Sequence, residues 1–172
     1  MTTELVGRMM DGSIPYSMKG VLRKAGLLGG GHVGQDAKIE QLSRLPLFEG
    51  CSQRQLRALA RITEVRELPE ATVLARTGDQ GNEFFLILDG RVRIDVSPRK
   101  RAHLGPGEFF GEMSLLDGGP RSATAVAETG VRLLVIGRRD FAVLLAKVPD
   151  LTRHLLVILC RRLRQADQTP RA

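Results

Sequence analysis

Phe84-Phe85-Leu86-Ile87-Leu88-Asp89-Gly90-Arg91-Val92-Arg93-Ile94-Asp95-Val96 places a β-rich run on either side of one Asp-Gly turn signal. Working outward, similar runs recur at Val65 to Leu68 and Thr72 to Ala75 on one side, and at Ala123 to Ala127 and Val131 to Ile136 on the other. Gly78-Asp79 and Gly105-Pro106-Gly107 punctuate them. Short strands at even spacing predict an antiparallel roll or barrel and exclude a parallel sheet.

Helical spacing takes over on both flanks. Ile39, Leu42, Leu45 and Leu47-Phe48 form an apolar stripe interrupted at Pro46, and a second helix starts at Ser52, an N-cap with Gln55 three residues on. Its buried face is Leu56, Leu59, Ala60 and Ile62. Downstream, Phe141, Leu144-Leu145 and Val148 make one stripe, which Pro149-Asp150 breaks. Leu151, Leu155-Leu156, Leu159-Cys160 and Leu163 make another, ending in Arg161-Arg162-Leu163-Arg164 where cations suit the helix dipole. The expected class is mainly β with flanking helices. Helices over 38–62 precede an antiparallel, jelly-roll-like β-roll over 63–137, and two C-terminal helices cover 138–167, all in one domain over 37–172.

Residues 1–36 read as an extension. Leu28 to Gly34 is too glycine-rich for helix or strand and marks a linker. Gly29, Gly31 and Gly34 match a dinucleotide-binding spacing, but helical spacing precedes them where that motif needs a strand. Met18, Val21, Leu22, Ala25 and Leu28 oppose Lys19, Arg23 and Lys24, the pattern of a short basic amphipathic helix. A tail or a docking helix ranks ahead of membrane-surface contact through residues 17–28.

The chain has 172 residues, 42% hydrophobic, enough for one core. It has no apolar run of about 18 residues to span a bilayer. Glu4 and Asp11 do not fit a signal peptide, so a cytoplasmic protein is expected. The net charge of +7 is spread through sites such as Arg99-Lys100-Arg101, as on solvated faces. Cys51 and Cys160 lack metal-ligand spacing and are expected as core or half-buried thiols. No nucleophile and base pair is evident, and His32, His103 and His154 fall in a linker, a strand and a helix, so no enzyme and no metal are expected.

The chemistry concentrates in Phe110-Gly111-Glu112-Met113-Ser114-Leu115-Leu116-Asp117-Gly118-Gly119-Pro120-Arg121-Ser122-Ala123-Thr124. Gly111 lets backbone N–H groups approach an anion, and Glu112 to Leu116 can form about one helical turn. The Gly-Gly-Pro turn folds Arg121 back toward that turn, where a guanidinium fork suits two phosphate oxygens and Ser122 adds a hydroxyl. Glu112 fits beside an anion if it accepts from a sugar hydroxyl. A phosphate next to a ribose satisfies both residues.

This stretch closely resembles the phosphate-binding cassette of cyclic-nucleotide-binding domains, shared by catabolite activator proteins, regulatory subunits of cAMP-dependent protein kinase and cyclic-nucleotide-gated channels. The resemblance runs from about Glu40 to Arg164. It includes Leu45-Pro46-Leu47-Phe48, Gly78-Asp79, Phe85 to Val92, and Leu104-Gly105-Pro106-Gly107-Glu108-Phe109-Phe110-Gly111-Glu112-Met113. Among bacterial proteins it is most similar to the sensor domain of a cyclic-nucleotide-regulated potassium channel.

The resemblance implies that Arg121 pairs with the cyclic phosphate and Glu112 accepts from the ribose 2′-hydroxyl. It implies that Gly111, Met113, Ser114, Ser122 and Ala123 add backbone or hydroxyl contacts. It also makes Arg161 or Arg162 a cap over the base, and Val73, Leu74, Ile87 and Leu104 could line purine and ribose. Members that favour cGMP often carry Thr after the cassette arginine; Ser122 stands here, so cAMP is favoured with cGMP admitted. The expected function is a cAMP sensor that moves its C-terminal helix and signals through a protein partner or self-association. The family's transcription factors carry a helix-turn-helix after that helix, and the chain stops at Ala172, so specific DNA binding is not expected. The alternative is a degenerate or truncated regulator-like domain serving as an interaction module.

Overall fold

The computed structural model describes residues 35–168. The apolar run at Phe84 becomes β3, Glu83–Asp89, and Val131–Gly137 becomes β8. Both hold four consecutive buried residues, which is how a strand covered on both faces reads. The other strands are β1 (Glu64–Leu68), β2 (Val73–Ala75), β4 (Val92–Ser97), β5 (Lys100–Leu104), β6 (Phe109–Phe110) and β7 (Thr124–Ala127). They form two four-stranded antiparallel sheets, ordered β1-β8-β3-β6 and β2-β7-β4-β5.

The Asp89-Gly90 turn therefore carries the chain from one sheet to the other. Gly90 sits at φ +87°, and a Cβ there would lie 2.3 Å from the Gly130 carbonyl oxygen. No other residue fits that corner without moving backbone.

Two cores follow from the double coverage of β3 and β8. Phe85, Ile87, Leu133 and Val135 face the second sheet and meet Val92, Phe110, Ala125 and Ala127. Phe84, Leu86, Leu134 and Ile136 face the helices. The Phe-Phe pairs split between them: Phe84 stacks on Phe141 at 4.9 Å and lies 5.4 Å from Phe109, whereas Phe85 stacks on Phe110 at 4.8 Å.

The helices are α1 (Gln35–Ser43), a 3₁₀ turn at Pro46–Phe48, α2 (Gln53–Ile62), α3 (Glu112–Asp117), α4 (Arg138–Lys147) and α5 (Pro149–Gln168). Ser52 caps α2 in the expected box: its Oγ accepts from the Gln55 N–H at 3.3 Å, and the Gln55 side chain accepts from the Ser52 N–H at 2.7 Å. Lys38 of α1 donates to the Ala60 carbonyl at 2.7 Å and to that of Thr63, favourable at the C-terminus of α2.

Several expectations need correction. The first helix begins at Gln35, ahead of 38, with Asp36 in its first turn, and Pro46 opens a 3₁₀ turn after α1 has ended. Lys100 and Arg101 are exposed, as expected of solvated charge, but they sit on β5, an edge strand whose charges guard it against further pairing. The break at Pro149 stands, since α4 ends at Lys147, but Pro149 is itself the first residue of α5, suited to a position whose N–H has no helical partner. In α5, Leu151 and Leu155 are buried, but Leu156 and Leu163 are 56% and 64% exposed, so the stripe outruns the body it packs on. Cys51 is half-buried as expected and Cys160 is exposed. The linker glycines, His32 and residues 17–28 lie outside the described residues.

Candidate ligand-binding site

Gly111 precedes α3 at φ +87°, and a Cβ there would lie 2.7 Å from Arg121 Nη1 and 2.8 Å from the Glu83 carbonyl oxygen. The space a side chain would fill holds a guanidinium. Arg121 Nη1 donates to the Gly111 carbonyl at 2.8 Å, and Nη2 donates to that of Glu83 at 2.7 Å. The cation lies 5.7 Å from the Phe85 ring centroid. Its main chain is fixed as firmly. The Arg121 N–H donates to Asp79 O at 2.8 Å and the Gly78 N–H donates to Arg121 O at 2.9 Å, beside a Gln80–Pro120 bridge.

Arg121 is 8% exposed. Burial pushes its pKa down; Glu83 and Glu112 act to raise it, and Arg138 adds to the lowering. No carboxylate lies within ion-pair distance among the described residues. The site is thus a buried cation whose direct partners are neutral carbonyls, which favours a bound anion. Two of the five guanidinium N–H groups serve those carbonyls, and the rest of the fork can serve a ligand.

Glu112, the first residue of α3, is also buried. Burial pushes its carboxyl above the usual range; the charge of Arg162, the Glu112 backbone N–H and Arg121 act the other way. Arg162 Nη1 donates to Glu112 Oε1 at 3.3 Å and Nη2 donates to the Phe109 carbonyl at 2.7 Å, with the guanidinium 4.4 Å from the Phe109 ring centroid. Of the two arginines read as caps, Arg162 turns inward to these groups and Arg161 is exposed.

The remaining cassette residues divide by face. Met113 is half exposed, and the exposed Ser122 donates to its sulfur at 3.6 Å, with the half-buried Ala123 next in chain. Ser114 is buried against Gly81, where an added Cβ would lie 2.6 Å from Ser114 Cβ. Among the apolar candidates, Ile87 is core, Leu74 and Leu104 border the inter-sheet cluster, and Val73 is 38% exposed.

Arg138 was not anticipated. The first residue of α4, it donates through Nη2 to Gly81 O at 2.6 Å and Ser114 O at 3.1 Å, tying the α3 turn to the start of the C-terminal helices. Among the described residues, no cluster of His, Cys, Asp or Glu could hold a metal ion, and no helix is long and apolar enough to cross a membrane.

The profile of the family described as "Cyclic nucleotide-binding domain" matches residues 65–148. A cyclic nucleotide-binding domain from Methylobacillus flagellatus, solved as a crystal structure, is 33% identical, with 76% of this chain and 79% of that chain aligned and a TM-score of 0.62. This chain belongs to the cyclic nucleotide-binding domain family. The cyclic AMP receptor protein of Thermus thermophilus is 39% identical over 127 residues, 71% of this chain and 59% of the relative. A cyclic nucleotide-gated potassium channel of Rhizobium etli is 33% identical over 158 residues, 88% of this chain and 44% of the channel. The chain thus spans less than two thirds of either relative.

Proposed function

We propose that this domain is a cytoplasmic sensor of a 3′,5′-cyclic nucleotide, cAMP in preference to cGMP, and acts by ligand-dependent movement of α5 without catalysing a reaction. The carrying observation is the pair of buried charges around Gly111: Arg121, held by two carbonyls, and Glu112, at the start of α3. A cyclic phosphate takes the free edge of the Arg121 fork, with Ser122, Ala123 and the main chain at Gly111 and Met113 beside it, and Ser114 supports the turn from below. The ribose 2′-hydroxyl donates to Glu112. The exposed Leu156, Val157 and Leu163 give a protein partner or a second copy a surface on which to read α5. The name of the Thermus relative, a cyclic AMP receptor protein, supports the choice of ligand.

Calorimetric titration with cAMP and cGMP tests the reading, with one cAMP per chain expected. At about 100 times the dissociation constant, the ligand adds about 2.7 kcal/mol of stability and raises Tm by several degrees. Unchanged melting in millimolar cAMP overturns the assignment, and a tenfold advantage for cGMP reverses the base choice. Amide exchange tests the output: cAMP should protect residues 111–124 and alter exchange over 151–167. Protection confined to the cassette removes α5 as the output.

A further inference from the structure

The geometry points to Arg162 as a built-in competitor of the ligand's ribose, a residue that holds Glu112 in place of the 2′-hydroxyl and so sets how strongly the domain selects for that hydroxyl. This rests on the proposed reading of Glu112 as the ribose acceptor. A buried carboxylate is costly unless donors reach it, and here Arg162 Nη1 reaches Oε1 at 3.3 Å. With the guanidinium there, 5% of the Glu112 side chain is exposed, so a hydroxyl approaching from the ligand side reaches the carboxylate once Arg162 withdraws.

The helix that carries Arg162 is built to allow the withdrawal. The fully buried anchors of α5 are Leu151 and Leu155, in its first two turns, and Ile158 and Leu159 pack half-buried on the same core one turn on. Past Leu155, the residues Leu156, Val157 and Leu163 are exposed, and Arg162 reaches the body through polar and ring contacts with Glu112 and Phe109. Such contacts exchange with a ligand's hydroxyl more readily than packed side chains do, because each partner can be satisfied again after the swap. The 2′-hydroxyl therefore replaces one donor by another in the wild-type chain, and its net contribution is reduced by what Arg162 gives up. Without Arg162, the same hydroxyl meets an acceptor with an unmet need.

The experiment crosses ligand with variant: cAMP and 2′-deoxy-cAMP are titrated calorimetrically into wild type, Arg162→Ala and Arg162→Lys. Arg162→Ala should bind cAMP about tenfold more tightly with little change for 2′-deoxy-cAMP, so discrimination between the two widens about tenfold. Arg162→Lys, which keeps one charge and loses the fork, should fall between and covers the case in which the alanine variant folds poorly. Equal or weaker cAMP binding by both variants overturns the inference and makes Arg162 a spectator or a cap on the base. Equal tightening for both ligands also overturns it, because Arg162 would then obstruct the site without involving Glu112. Binding of neither ligand by any of the three proteins removes the cyclic-nucleotide reading and this inference with it.

Discussion

Two arginines bracket Glu112, and they are held in opposite ways. Arg121 lies in a loop whose main chain is bonded to the β2–β3 connection, and its guanidinium fills a space that a side chain at Gly111 would occupy. Arg162 lies near the end of a helix that is only half-buried at Ile158 and Leu159 and exposed at Leu156, Val157 and Leu163, and it reaches the body by the tip of its side chain. Under the proposed function, the contrast separates recognition from response. A site that selects an anion gains from groups fixed before the ligand arrives, since ordering them later costs affinity. A segment that reports the ligand needs a second arrangement within a few kcal/mol.

The largest effects should come from disturbing the fixed side. Gly111→Ala meets the left-handed backbone penalty of about 1–2 kcal/mol and about 1–3 kcal/mol more for overpacking against Arg121. Gly118 is also left-handed, at φ +75°, but nothing lies within 4 Å of an added Cβ. Gly118→Ala should therefore show the backbone penalty alone. Urea unfolding of both variants checks this, and equal losses would mean that the fit around Arg121 is loose.

Arg121→Ala comes next. It should cost about 2–4 kcal/mol of cAMP binding, and Arg121→Lys should recover little because one ammonium cannot bond both carbonyls and a phosphate edge. Calorimetry reads the loss directly; wild-type affinity in Arg121→Ala would remove the arginine from recognition and erase the contrast with Arg162.

What could be read from the sequence follows the same division. The short turn at Glu112, the Ser52 cap and the β-rich runs at Phe84 and Val131 are local patterns of turn chemistry, capping and periodicity, and each element appears where those patterns put it; that the two runs are covered on both faces came from the structure. Of β5 only His103 was placed in a strand, and its extent was missed because Lys100-Arg101-Ala102-His103-Leu104 lacks an apolar alternation and becomes a strand by pairing with β4, with His103 opposite Arg93. β6 is two residues long and leaves no periodicity to detect. The choice between Arg161 and Arg162 depends on how α5 is rotated on the body, which a helical stripe that overruns its packing partner does not specify. Arg138 touches Gly81 and Ser114, 57 and 24 residues away in sequence, and no spacing announces such a contact.

The smallest effect is the most specific to the pair. The Glu112 carboxyl is raised above 4.5 in the folded chain, with burial the largest cause, so the folded state holds its proton to higher pH than the unfolded chain does. The stability this contributes is fully present below 4.5 and is lost as pH rises through the folded value. Glu112→Gln cannot titrate and escapes that loss. The Tm of the ligand-free variant should gain on that of wild type as pH is raised from 4.5 to neutrality, measured side by side so that other groups cancel. Its affinity for cAMP should move the opposite way, down by about 1 kcal/mol, because a neutral amide oxygen accepts a hydroxyl less strongly than a carboxylate. If wild type instead gains on the variant with rising pH, Arg162 more than offsets the burial of Glu112, and the distal helix is held more firmly than its exposed leucines indicate.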